Sequence, residues 1–283
     1  MDLFGYTYMQ RAFVAGVLVG ALCAVVGVYV VLRGLSFIGA GISHASFGGV
    51  AIGLALGVNP VWTAVVFCLA VGWGIGLTVQ RGNVKEDTAV GVFFASTMAL
   101  GVLILGLIGG YQVDLFSYLF GSILAVTMQD VWTTAAIAVL VLSLVAWLYK
   151  DLMFAVFDSE TAEVIGVPAG RLYFLLISII ALTVVMSIKV VGIVLVSALI
   201  VTPAAAAYQL TERFNKMMLL SIAFGVGSCV AGLIIADRLG FAPGAAIVLL
   251  STLAFFLCTL FSPRRRKTPF QDADESGLPK TSA

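Results

Sequence analysis

The chain has 283 residues, of which 61% are hydrophobic and only 10% are charged, and its mean hydropathy is +1.14. Soluble domains are about 45–50% apolar and about 25% charged, so this composition excludes a soluble fold. The formal net charge is +1 and no basic stripe runs along the apolar segments, which argues against a nucleic-acid partner. The composition therefore predicts an all-α, polytopic membrane helical bundle surrounded by lipid.

Nine apolar segments are long enough to cross a bilayer core, which takes roughly 20 residues of helix. They lie at 13–32, 36–57, 60–79, 88–110, 129–149, 172–188, 190–208, 217–236 and 243–261. We therefore expect about eight to nine transmembrane helices in one membrane domain, residues 1–262. Residues 263–283 are rich in Pro, Ser, Thr and charge, which predicts a disordered cytoplasmic tail. Because the loops are too short for a catalytic domain, we expect the function to be carried out within the bilayer.

The apolar stretch at 115–127 is too short to cross the bilayer. Backbone at membrane depth is tolerated outside a spanning helix only where protein or a water-filled cavity covers it. We therefore predict a short re-entrant or interfacial helix at these residues.

Basic residues indicate the sidedness of the spans. With the C-terminal tail in the cytoplasm, only Arg11, Lys189 and Arg238 of the 15 Lys and Arg residues fall outside. Cytoplasmic loops of membrane proteins carry an excess of Lys and Arg, so this split favours the assignment. It predicts an N-terminus outside the cytoplasm and a cytoplasmic loop at 151–171.

The single histidine, His44, lies within the second apolar segment. An ionisable group at that depth usually faces a bundle interior or a pathway, and imidazole is a ligand suited to Zn, Mn or Fe. Ser43, Ser46 and the four glycines at 39–49 favour a thinned or broken helix that exposes backbone to a cavity. One hypothesis is a translocation path with His44 as metal contact beside Ser43 and Ser46. The other is a histidine hydrogen-bonded to a neighbouring helix.

The longest polar insertion runs over residues 151–171. Asp158 is a suitable N-cap for a short helix with Glu160 in its first turn. Gly166 is suited to end that helix, and Pro168 follows it. The pattern is compatible with a short amphipathic cytoplasmic helix and with an ordinary surface loop.

Pro203 lies in the apolar segment at 190–208. Proline lacks a backbone N–H donor, so we expect it to kink or interrupt the helix. Such a kink is common in helical bundles and does not identify a function.

Nothing in the sequence predicts an enzyme. A phosphate-binding P-loop needs Gly-Lys followed by Ser or Thr, and none of the six lysines follows a glycine. A lone histidine, with acidic residues confined to loops, the tail and the edges of spans, offers no hydrolytic constellation. The same distribution disfavours a secondary transporter driven by an ion gradient, because such proteins usually place acids within spans.

Taken together, these segments resemble the permease family of the ABC transporters that import zinc, manganese or iron. The resemblance covers residues 9–262 and depends on the order and spacing of several short pieces. These are residues 9–12, 32–36, 43–45, 114–122, 157–158 with 162–166, 191–192 with 203–204, and 243–244. Many family members carry an aspartate one helical turn before the histidine, where this chain has Ala40.

The resemblance implies a multi-pass permease of the cell inner (plasma) membrane, with a divalent metal ion as cargo and no stably bound cofactor. It implies three protein partners, namely a cytoplasmic ABC ATPase subunit, an extracytoplasmic metal-binding protein and a second copy of the chain in a homodimer. It also implies a cytoplasmic coupling helix that contacts the ATPase. That coupling segment comprises Asp158, Glu160, Glu163, Val164, Ile165 and Gly166.

The absence of the aspartate at Ala40 leaves the metal contact open. His44 then acts with Ser43 and Ser46, with backbone carbonyls, or with His44 of a second copy. A further alternative is a permease for chelated iron or another metal complex, which needs a wider cavity and no direct ligand. Sequence does not separate zinc from manganese or iron, because their ligand preferences overlap.

Overall fold

The computed structural model describes residues 7–82, 84–108 and 126–263, and these residues form helices and short connections without a strand. In chain order the helices are α1 (Thr7–Arg33), α2 (Ile38–Leu56), α3 (Pro60–Gly82), α4 (Glu86–Ile108), α5 (Met128–Trp147), α6 (Tyr149–Phe157), α7 (Ser159–Val164), α8 (Ala169–Val191), α9 (Ile193–Leu210), α10 (Phe214–Leu239) and α11 (Pro243–Leu260).

Within the described residues, nine of these helices are long and apolar enough to cross a membrane, all except α6 and α7. They coincide with the nine predicted segments, and the largest difference is that α1 begins at Thr7. The predicted all-α polytopic bundle is therefore confirmed. The predicted re-entrant helix lies outside the described residues apart from 126 and 127, as does the tail after residue 263. The boundary between membrane domain and tail stays a prediction.

The bundle is built around α1, which packs against α5, α8, α9 and α10. In its most apolar stretch of 18 residues, 72% is buried. A second group surrounds α2, which packs against α3, α4, α8 and α9. By contrast, only 11% of the corresponding 18-residue stretch of α4 is buried. Since α4 is as apolar as the buried helices, most of its surface must face lipid or another protein.

The connection between α8 and α9 is a single residue, Gly192, with a φ of +84°. Glycine adopts positive φ without a steric penalty, so the chain can change direction there between two helices. Lys189 therefore lies in the last turn of α8, although the segments at 172–188 and 190–208 place the break at that residue.

The predicted interruption at Pro203 does not occur, because α9 is continuous from Ile193 to Leu210. Proline removes one backbone donor, and its bond to the carbonyl of Leu199 is the one that is lost. A kink at Pro203 stays a prediction.

Candidate functional site

His44 lies in the middle of α2, a continuous helix from Ile38 to Leu56. The predicted break in this helix is therefore wrong. The glycines around His44 instead allow neighbouring helices to approach. A Cβ atom at Gly41 would come within 2.5 Å of Val90 Cγ1, and one at Gly48 would come within 2.9 Å of the Thr97 carbonyl oxygen. Helix α4 thus contacts α2 closely on both sides of His44.

The His44 side chain is half-buried, and its Nδ1 lies 2.8 Å from the carbonyl oxygen of Ala40. A carbonyl oxygen only accepts hydrogen bonds, so Nδ1 carries the hydrogen and donates it. In the neutral imidazole the lone pair is then on Nε2, and a backbone carbonyl commonly orients metal-binding histidines in this way. Nε2 is therefore the ring nitrogen whose lone pair can bind a metal ion.

An aromatic ring of α4 lies against this imidazole. The ring centroids of His44 and Phe94 are 4.8 Å apart, and the ring planes meet at 72°, which is an edge-to-face contact. The Ala40 carbonyl holds the ring at Nδ1, and the contact with Phe94 restricts how the ring can tilt about that hydrogen bond. Sequence reasoning missed this residue, because a phenylalanine in an apolar span carries no signal of its own.

Ser43 and Ser46 are buried and direct their hydroxyl groups to their own helix. The Ser43 hydroxyl donates to the Gly39 carbonyl at 2.7 Å, and the Ser46 hydroxyl donates to the Ser43 carbonyl at 2.6 Å. Consecutive helix positions are about 100° apart, so neither serine shares a face with His44. The structure does not bring them together with the imidazole, and their contact with a path stays a prediction.

Within residues 7–82, 84–108 and 126–263, no group of three His, Cys, Asp or Glu side chains is arranged to hold a metal ion. Among the described residues His44 therefore lies outside any such group. Divalent metal sites in proteins usually combine three or more ligands. A lone imidazole, by contrast, is suited to brief contact with an ion and not to tight storage.

An ion pair that sequence reasoning missed joins α5 to α8. Lys189 contacts Asp130, which also forms a capping box with Thr127 at the start of α5. The spacing of Thr127 and Asp130 is the local signal of a capped helix N-terminus. The ion pair itself has no local signal, because its two residues are far apart in sequence.

The coupling segment contains the predicted short helix, α7. The Asp158 carboxylate caps it by accepting hydrogen bonds from the Thr161 amide at 3.0 Å and the Thr161 hydroxyl at 2.5 Å. The hydroxyl bond, followed by the amide bond, lowers the pKa of Asp158. Gly166 follows the helix with a φ of +88°, as expected of a residue that ends it.

The outer side of the coupling segment combines apolar and acidic groups. Val164 is 86% exposed and Ile165 is 57% exposed, whereas Ala162 is buried against the rest of the chain. Glu160 and Glu163 are also exposed. Adjacent apolar side chains this accessible are typical of a surface that another protein covers.

The sequence of this chain is similar to known proteins over nearly its full length. Residues 5–262 match the family described as ABC 3 transport family. The chain is 39% identical to the manganese transport system membrane protein MntC of Listeria monocytogenes, over 93% of this chain and 94% of that protein. It is 33% identical to the chelated iron transport system membrane protein YfeD of Yersinia pestis, over 92% of this chain and 87% of that protein.

A solved structure gives the same result for the fold. The chain resembles a chain of PsaBC from Streptococcus pneumoniae in complex with Fab, with a TM-score of 0.84 and 33% identity, over 95% of this chain and 97% of that chain. These similarities cover the spans, the coupling segment and the region of His44 together. The chain belongs to the ABC 3 transport family, as a multi-pass membrane permease of a metal-ion ABC transporter.

Proposed function

We propose that this permease carries a divalent metal ion into the cytoplasm, with manganese as the first cargo to test. The observation that carries the proposal is the orientation of half-buried His44, whose Nδ1 donates to the Ala40 carbonyl so that the lone pair is on Nε2. Oxygen ligands such as water suit manganese, and imidazole is the commonest side-chain ligand of metals in proteins. The relatives described as manganese transport proteins support the same cargo.

The energy for transport comes from ATP hydrolysed by a separate ATPase subunit that binds the coupling segment. The exposed pair Val164 and Ile165 supplies apolar contact, and the exposed carboxylates of Glu160 and Glu163 fix the orientation. Closure of two ATPases moves the attached permeases as rigid bodies and alternates access to the path. An extracytoplasmic binding protein delivers the ion to the opposite side.

The functional permease is a homodimer, with one His44 from each copy near the dimer axis. Two observations support it. The described residues of one protomer hold no group of three metal-ligating side chains, and α4, which packs beside His44, leaves most of its apolar surface uncovered. Two imidazoles then hold the ion weakly enough for release, which a translocation path requires.

A second candidate cargo is chelated iron or another metal complex. It is favoured by Ala40, which leaves the histidine without a carboxylate one turn away, and by the similarity to YfeD. A complexed metal needs space and polar contacts instead of a direct imidazole ligand. The two candidates therefore differ in their dependence on His44.

The test is uptake of radioactive manganese, zinc and chelated iron by proteoliposomes that contain the permease, its ATPase and its binding protein. We expect ATP-dependent manganese uptake that excess zinc inhibits. Uptake of chelated iron alone, unaffected by His44→Ala, would replace the proposed cargo with the second candidate. ATP-independent uptake driven by an ion gradient would contradict both.

A further inference from the structure

A polar cluster joins four helices at the end of the bundle where the coupling segment lies. The Arg33 Nη1 donates to the Ala155 carbonyl at 3.2 Å, and the guanidinium carbon lies 6.0 Å from the centroid of the Tyr173 ring. The Tyr173 hydroxyl donates to Glu86 Oε1 at 3.3 Å. These contacts connect four helices in series, from α6 to α1, from α1 to α8 and from α8 to α4.

The first contact of the series holds the backbone directly before the coupling segment. Ala155 lies in the last turn of α6, and Asp158, the N-cap of α7, follows three residues later. Buried apolar residues of α6 and α8, Leu152, Val156 and Leu172, line a cleft beside Arg33 and Tyr173. Charged hydrogen bonds next to apolar surface are stronger than those in water. A displacement of α7 therefore pulls on Arg33.

The last contact of the series lies on the helix that supports His44. Glu86 is the first residue of α4, and Phe94 on the same helix contacts the His44 ring. The two are about 12 Å apart along the helix axis. Between them Val90 presses against Gly41 of α2, where no Cβ atom would fit. Because this contact has no free space, α4 cannot move closer to α2 at this point without displacing it.

Electrostatic attraction adds to the series. Arg33 and Glu86 carry opposite charges, and both contact the Tyr173 side chain. Each of the three residues thus has a separate role. Arg33 binds the α6 backbone, Glu86 is fixed to α4, and Tyr173 connects them.

We propose that Arg33, Tyr173 and Glu86 form a relay that transmits displacement of the coupling segment to α4 and so to His44. The proposal rests on the proposed function, because the ATPase supplies the displacement. The three are positioning residues, since none of them touches the cargo. Loss of the relay uncouples the two ends of the permease and leaves each end folded.

The decisive variant is Tyr173→Phe, which removes the hydroxyl and keeps the ring that Arg33 faces. The matched control is Tyr29→Phe. Tyr29 is fully buried near the same end of α1, and its hydroxyl has no hydrogen-bond partner among the described residues. In proteoliposomes with the full complex, we expect Tyr173→Phe to lower metal uptake per ATP hydrolysed about fivefold. That is about the change in an equilibrium constant that the loss of one average hydrogen bond causes. Tyr29→Phe should leave that ratio unchanged.

A second measurement does not depend on the cargo. A cysteine at Ala40, in a chain whose four native cysteines are replaced, reports access to the neighbourhood of His44 through its rate of reaction with a small thiol reagent. We expect trapping of the ATPase with nucleotide to change that rate at least twofold in this chain and in its Tyr29→Phe variant. The Tyr173→Phe variant should abolish the change.

The two measurements separate the inference from the proposed function. If nucleotide changes the labelling of the Tyr173→Phe and Tyr29→Phe variants equally, the relay is overturned. If labelling depends on Tyr173 but manganese is not taken up, the relay stands and the proposed cargo fails. A second pair decides the matter if Tyr173→Phe does not accumulate in the membrane. Glu86→Gln keeps an acceptor oxygen for Tyr173 and should retain most of the nucleotide response, Glu86→Ala should lose it, and equal responses would overturn the relay.

Discussion

Gly27 of α1 lies directly against the backbone of Ile200 in α9. A Cβ atom at position 27 would come within 1.9 Å of the Ile200 carbonyl oxygen, and Ala204 lies on the next turn of the same surface. Two helices in lipid gain stability chiefly from close packing, because lipid offers little hydrophobic drive for association. This contact therefore fixes the central helix α1 to the proline-containing helix α9.

The first prediction is that Gly27→Ala destabilises the permease by about 1–3 kcal/mol, since the extra methyl group must displace backbone in a filled interior. Thermal unfolding of the detergent-solubilised protein measures the effect. Gly227→Ala is the control, because a Cβ atom there meets nothing within 4 Å. An unfolding temperature equal for both variants would contradict the close contact.

The second prediction is that His44→Ala lowers manganese uptake roughly tenfold or more, as expected when a ligand is removed. Assembly with the ATPase should be unaffected, because the side chain is only half-buried and its hydrogen bond stays within α2. Uptake of radioactive manganese and zinc is measured at matched expression. Thr78→Ala, which removes a hydroxyl bonded to its own helix in α3, is the control. Native rates for both metals in His44→Ala would show that the histidine is structural.

The third prediction is that Ala40→Asp tightens metal retention and slows turnover. The new carboxylate lies one turn before His44, on the same face of α2, and so adds an oxygen ligand to the imidazole. Metal retained by the purified complex after gel filtration and the uptake rate are the two measurements. Ala40→Asn, which has the same size without the charge, should retain less metal. Equal retention by the Asp variant, the Asn variant and the native chain would contradict the prediction.

The fourth prediction is that Ile165→Glu and Glu163→Lys uncouple ATP hydrolysis from uptake. Both side chains are exposed on the coupling segment, so the variants should fold normally while the contact with the ATPase is weakened. Uptake should fall about tenfold or more, and ATPase activity should no longer respond to the loaded binding protein. Glu163→Gln, which changes the charge but not the size, should have a smaller effect. Normal uptake by both disruptive variants would exclude docking at this segment.

The fifth prediction concerns sidedness. In a chain whose native cysteines are replaced, Val58→Cys in the exposed turn between α2 and α3 should react with an impermeant thiol reagent added to whole cells. Ser159→Cys at the start of α7 should react only after permeabilisation, because the basic loops place it in the cytoplasm. The opposite labelling pattern would reverse the orientation of the bundle.

The nine spans followed from the sequence because hydropathy is a local property. The free energy of transferring a run of about 20 apolar residues into the bilayer is favourable and depends on that run alone, whatever its neighbours are. The short helix α7 was one of two alternatives that the local pattern left open, and its Asp158 cap and Gly166 are signals within a few residues of the helix ends. The spans could therefore be predicted, and the helix proposed, without any contact between distant residues.

The arrangement around His44 could not be predicted in that way. The glycines beside it indicate that something approaches α2 closely, but the same pattern suits a cavity or another helix. Only the tertiary structure shows that Val90 and Thr97 of α4 occupy that space and that Phe94 contacts the imidazole. The sequence by itself determined which segments span the membrane and that a single imidazole lies within one of them. The tertiary structure decided which face of each helix meets which neighbour, because packing depends on residues as far apart as Arg33 and Ala155, whose contact no local pattern encodes.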